Sequence, residues 1–224
     1  GPRRAAMEAV LAWEELQREL ERLPERDQIL KLDLAGRDPE DGVTAIPYLK
    51  GALFLKSLEL AAGRARFDAF LRAYFDRFAF QSLTTAQFLD YLRRELPEAV
   101  RGVPVEEWVF KPGLPSSAPR PAPAEAFLKV ETEARKWLEG GAAAAVEARG
   151  WSSHEWLHFF NALPAKLDPK RMGELDASFR LTQTGNYEVL QQWLWMAVRS
   201  GYRAADPRLE EFLTTVGRRK YLRP

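Results

Sequence analysis

From Pro112 to Glu125 the chain reads PGLPSSAPRPAPAE, with prolines at 112, 115, 119, 121 and 123. Each proline removes an amide donor, fixes its own φ and pushes the residue before it out of the helical region. No helix and no inner strand can run through this stretch, so it reads as a stiff, extended linker. Whatever the chain folds into must be built on either side of it.

Both sides carry helical periodicity. RRAAMEAVLAWEELQRELERL places Ala6, Val10, Trp13, Leu16, Leu20 and Leu23 at steps of three and four, the mark of an amphipathic helix. ILKLDL alternates and reads as a short extended piece, followed by the loop GRDPEDG. Pro47 suits the first turn of a helix that runs to Gly63, where glycine can end it. In the next helix Phe67, Phe70, Leu71, Tyr74, Phe75 and Phe78 share one side. Thr84 with Gln87 three residues on forms a capping box, and VPVEEWVF is a short helix. Beyond the linker come AEAFLKVETEARKWLEG, AAAAVEA, SSHEWLHFFNAL, DPKRMGELDASF, NYEVLQQWLWMAVRSG and DPRLEEFLTTVG. Short helices joined by brief turns predict antiparallel pairs stacked as in an α-solenoid. Trp13, Trp108, Trp137, Trp193 and Trp195 are expected in the core.

Composition narrows the function classes. Of 224 residues 46% are hydrophobic, enough for one large or two small domains. Thirty-three basic and 32 acidic residues leave a net charge of +1 with no basic block, which argues against nucleic acid as a partner. The most apolar run, GALFLKSLELAAG, is broken by Lys56 and Glu59, so no membrane partner is expected. The absence of cysteine fits a reducing, cytoplasmic setting.

The chain has two histidines, and SSHEWLHFF holds both as His154-Glu155-x-x-His158. On a helix this spacing gives two zinc ligands and a general base. On a helical wheel, however, His154, His158 and Asn161 form one stripe, with Trp156, Phe159, Phe160 and Leu163 nearly opposite. The aromatic stripe is expected to be buried and the histidines to face solvent or a domain surface. Ser152 and Glu155 also form a capping box, which engages the would-be base. The positions where such sites carry a third ligand hold Ala177 and Pro164. The expectation is a capped helix without a metal. A stand-alone metalloprotease using His154, Glu155 and His158 is an alternative, as is a non-catalytic helical scaffold that binds partner proteins.

Several segments, in order, resemble the gluzincin zinc aminopeptidases, in particular the branch of leukotriene A4 hydrolase and aminopeptidase B. DPEDG is similar to an acidic loop of that family, and AIPYLKGALFL resembles its PYxKG helix start. EEWVFKPGLP is similar to the tryptophan-to-PGLP signature that closes the catalytic domain, and GRRKYLRP to the GRxKFxRP segment of the C-terminal helical domain. The opening GPRRAAMEAVLAWEEL resembles the helix after the family's zinc-binding helices. The resemblance implies an all-α fold: residues 1–113 as the helical rear of a thermolysin-like catalytic domain, 114–123 as linker, and 124–224 as an armadillo-like α-α superhelical domain. It places the family's own zinc motif before residue 1, so that zinc belongs to the parent enzyme and none to this stretch. The implied partners are a short peptide substrate and the preceding part of the same protein.

The resemblance also assigns roles. Tyr48 corresponds to the tyrosine that donates a hydrogen bond to the tetrahedral oxyanion, although Leu49 stands where the family often has glutamate. Arg218, with Lys220 beside it, corresponds to the arginine that grips the substrate carboxylate. Glu40 falls where the branch carries an aspartate that reads polar or basic substrate ends. Val43 replaces a further family tyrosine, which weakens lipid-epoxide chemistry more than peptidase chemistry. Lys50 matches the motif and is expected to be structural.

Overall fold

In a computed structural model, residues 1–217 are described, and they contain eleven α-helices and no strand. The helices are α1 (Pro2–Arg22), α2 (Ile46–Ala62), α3 (Arg64–Arg77), α4 (Thr85–Glu95), α5 (Pro97–Gly102) and α6 (Val105–Phe110), then α7 (Glu125–Leu138), α8 (Ser153–Ala162), α9 (Pro169–Phe179), α10 (Tyr187–Ser200) and α11 (Asp206–Thr215). No helix of the described residues is long and apolar enough to cross a membrane. The chain forms two compact units: a central one from Ala12 to Pro121, and a terminal one of Gly1–Leu11 with the chain from Ala122.

Local sequence rules set many boundaries. α2 ends at Gly63, whose φ of 79° would strain a residue bearing a Cβ. Thr84 accepts from the Gln87 amide while the Gln87 side chain accepts from the Thr84 amide, which closes the capping box of α4. α10 stops at Gly201 in the left-handed conformation.

The central unit packs around Trp108, Leu58, Leu92, Leu96 and Ala99, all with no exposed surface, and Phe54, Phe67 and Phe70 surround them. The aromatic side of α3 is only partly internal. Phe67 and Phe70 are buried, but Phe75 is 67% exposed, because it lies at the edge of the stripe where no helix covers it. ILKLDL is irregular rather than extended. The Lys31 amide ties it to the end of α6 by donating to the Val109 carbonyl. The start of the proline-rich stretch is not a free linker: Pro115 is buried, and Leu114 and Ala118 pack on this core.

The terminal unit is centred on Trp137, Phe159, Met172, Leu175, Leu190 and Trp193. α8 packs against both α7 and α10. AAAAVEA makes only a single 3-10 turn at Ala143–Ala145, with Ala143 and Val146 buried. A short alanine run between glycines cannot repay helix nucleation there. Trp13 and Trp195 are half-buried, stacked beneath Arg120 and Arg199 respectively. From α1, Met7 rather than Ala6 is buried, in a small cluster with Ala124, Ala126 and Phe127.

Candidate functional site

The His-Glu-x-x-His segment forms the first two turns of α8, and its three polar residues turn to separate partners. Ser152 caps the helix and donates through both its amide and its hydroxyl to Glu155 Oε2, at 2.8 and 2.7 Å. Arg3 Nη2 donates to the other carboxylate oxygen at 2.8 Å. Burial alone would push Glu155 up, but these donors outweigh it and hold the carboxyl below its ordinary value of 4.5. A carboxylate saturated in this way is a poor general base.

The structure corrects the solvent-facing histidine stripe. His158 is buried: it stacks on Phe127 of α7 with ring centroids 3.9 Å apart, and its Nε2 lies 2.9 Å from Glu131 Oε1. His154 is partly covered, with Nε2 3.5 Å from Glu8 of α1. The wheel correctly separates two faces of α8, but both are covered, one of them by α7. The histidines therefore turn to separate carboxylates. Among the described residues no three His, Asp or Glu side chains converge as a metal centre requires.

The Glu155 carboxyl sets an acid limit on the terminal unit. With a folded value below the unfolded one, its contribution is complete above pH 4.5 and disappears as pH falls through the lower folded value. Glu155→Gln should therefore lower the unfolding free energy by about 1 kcal/mol at neutral pH, and that gap should close in acid. Urea titrations from pH 7 to 3 measure it.

In the central unit, Tyr48 and Glu40 flank one short stretch of chain. Asp38 Oδ1 accepts from the Glu40 amide at 2.9 Å and caps the 3-10 turn Pro39–Gly42, on which Glu40 is exposed. The loop is fastened beneath by Arg37, whose Nη1 lies 2.6 Å from Asp27 and whose Nε lies 3.7 Å from Asp41. Gly42 lies close under Leu34, whose Cδ1 would be 2.8 Å from a Cβ there and would have to move aside. Two residues beyond Val43, Ala45 opens α2 without a side-chain cap. Tyr48 stands on the first turn with 78% of its surface exposed.

Lys50 holds that turn from the other side. It is fully buried, and its Nζ donates to the Gln28 carbonyl at 2.9 Å and the Lys111 carbonyl at 2.7 Å. Burial pushes the ammonium down to about 8. The Gln28 side chain completes the node: its Nε2 donates to the Leu20 and Leu23 carbonyls, each at 2.8 Å, and its Oε1 accepts from the Gly113 amide at 3.0 Å. Gln28, Arg37 and Asp27 carry no signal in the sequence, being polar residues in a stretch without periodicity. Arg218 and Lys220 lie outside the described residues.

Residues 4–108 match the peptidase family M1 domain, and residues 151–224 match the C-terminal domain of leukotriene A4 hydrolase. The chain carries an M1 peptidase domain region followed by a leukotriene A4 hydrolase C-terminal region. Among M1 relatives, leucine aminopeptidase 2 of Yarrowia lipolytica is 29% identical over 256 residues, covering 100% of this chain and 38% of that protein. Aminopeptidase B of Mus musculus is 27% identical, covering 84% of this chain and 32% of its own length. The structure of yeast LTA4 hydrolase in complex with bestatin superposes with a TM-score of 0.85 at 27% identity, over 99% of this chain and 40% of that one. The chain thus spans less than half the length of the M1 relatives it matches.

Proposed function

We propose that this chain is the later part of a zinc-dependent aminopeptidase that removes N-terminal residues from short peptides. The observation that carries the reading is Tyr48: an exposed phenol on an α2 turn whose opposite side is locked by Lys50, within an M1-family segment. A phenol held in this way is a preformed donor. When water adds to a peptide carbonyl, the oxygen becomes an anion, and a donor already aimed at it stabilises the transition state without reorganising. The helix N-terminus adds a favourable dipole.

Zinc, held by a preceding segment, would polarise that carbonyl and activate the water. His154, Glu155 and His158 do not fit this role, since a cap, Arg3 and two separate carboxylates engage them. Glu40 would face polar or basic substrate ends. Arg218, with Lys220, would grip the C-terminal carboxylate of a short peptide through paired guanidinium bonds. A cytoplasmic peptide pool fits a chain without cysteine.

Metal analysis tests the reading. The purified chain is expected to hold far less than one equivalent of zinc after dialysis. The parent polypeptide, with its preceding segment, is expected to hold one and to hydrolyse aminoacyl anilides. One equivalent in the chain alone, lost on His154→Ala, would overturn the proposal in favour of a metalloprotease centred on α8.

A further inference from the structure

The buried stripe of α2 runs Ile46, Lys50, Phe54 and Leu58, four steps apart, and none is more than 4% exposed. Three are apolar, and the position next to the start of the helix is a lysine. A methionine or leucine would fill that place at lower desolvation cost, so an ammonium there calls for an explanation beyond core filling.

Two observations supply it. The N-cap residue of α2, Ala45, has no side chain that can cap, and the first amide, Ile46, meets Thr44 Oγ1 only at a long 3.3 Å. Apolar contacts are non-directional and permit small rotations of a helix end. Lys50 is the one member of the stripe whose side chain has directional partners, the carbonyls of Gln28 and Lys111. Both acceptors are themselves held: Gln28 through three side-chain hydrogen bonds, and Lys111 beside Gly113, which is one of their partners. At 100° per residue, Tyr48 lies about 200° around the helix from Lys50. Fixing the lysine inward therefore fixes the phenol outward.

We propose that Lys50 is the positioning residue for Tyr48, its two carbonyl bonds setting the rotation of the first turn of α2 in place of an N-cap. This role rests on the proposed oxyanion function of Tyr48, but the setting of the turn can be measured without it.

The chain contains no cysteine, so Lys50→Cys creates a unique thiol. Alkylated in denaturant and refolded, it can carry an S-aminoethyl group, which restores the ammonium, or an S-propyl group of the same length without it. Amide hydrogen exchange is then followed along α2 and α3. In Lys50→Met and in the S-propyl form, amides 49–51 are expected to exchange at least tenfold faster while α3 is unchanged. The S-aminoethyl form is expected to restore protection. Equal protection in the two alkylated forms, or a uniform rise across the central unit, would overturn the proposal. Should the apolar forms fail to fold, Gln28→Ala is the milder variant: it is expected to speed the same amides about threefold, and no local change would count against the idea.

In the parent enzyme, Lys50→Met is expected to lower kcat with KM unchanged, and Tyr48→Phe/Lys50→Met to be no slower than Tyr48→Phe alone. An additive double variant would sink the coupling. If Tyr48→Phe itself leaves kcat unchanged, the oxyanion reading fails, while the exchange pattern still decides what Lys50 does to the turn.

Discussion

Trp193→Ala is expected to lower the unfolding free energy of the terminal unit by about 4 kcal/mol, the range for deleting a fully buried aromatic ring. Trp193 has no exposed surface and faces Phe160 and Tyr202, with ring centroids about 6 Å away. Alanine would leave a cavity walled by large side chains from α8 and by Tyr202, which cannot all move in. The indole also donates to Thr182 Oγ1 at 2.9 Å. Thr182 in turn donates to Asp176 at 2.6 Å, and Asp176 accepts the Tyr202 hydroxyl at 3.0 Å. Burial and that carboxylate push the Tyr202 phenol up to about 12, so it stays a donor at any working pH. Trp193→Phe keeps most of the apolar volume and removes the donor, and should cost less than half as much. Denaturant melts of the three proteins measure the difference. A Trp193→Ala loss below about 1 kcal/mol would mean that this core is not packed as described.

The second large effect is catalytic. In the parent polypeptide, Tyr48→Phe is expected to lower kcat for aminoacyl anilides about 100-fold, close to 3 kcal/mol, with KM nearly unchanged. The substitution removes one hydroxyl from a ring with 78% of its surface exposed, so the fold should tolerate it within about 0.5 kcal/mol. The split between kcat and KM matters more than the size. A donor that meets its partner only when the carbonyl oxygen becomes an anion contributes to the transition state and not to the ground state. A rise in KM at constant kcat would instead make Tyr48 a substrate-packing residue. Steady-state kinetics with thermal melts of the same preparations separate these outcomes.

The sequence makes visible what local rules decide. Gly63 stops α2, and Thr84 and Ser152 cap α4 and α8 with the partners their spacing requires. Pro47 and Tyr48 fall on the first turn of a helix as the motif implies. What depends on a distant neighbour was not visible. The wheel of α8 separates His158 from Phe160, yet it cannot show that α7 brings Phe127 and Glu131 over the histidine. Phe75 shares the period of Phe67 and Phe70 and still points outward, because no helix reaches it. Gln28 is the clearest case. Nothing in ERDQ suggests that one amide would join the end of α1 to the main chain at Gly113.

That join also bears on how the central unit assembles. The contact from Gln28 to Gly113 spans 85 residues, and the one from Lys50 to Lys111 spans 61. Neither can form until a long loop has closed, and closure entropy must be met before the bonds return anything. The six helices of this half therefore cannot be secured one after another as they emerge. The segment after α6 is the clasp, and a chain ending before Lys111 should collapse without locking, leaving the start of α2 loose and its core unsealed.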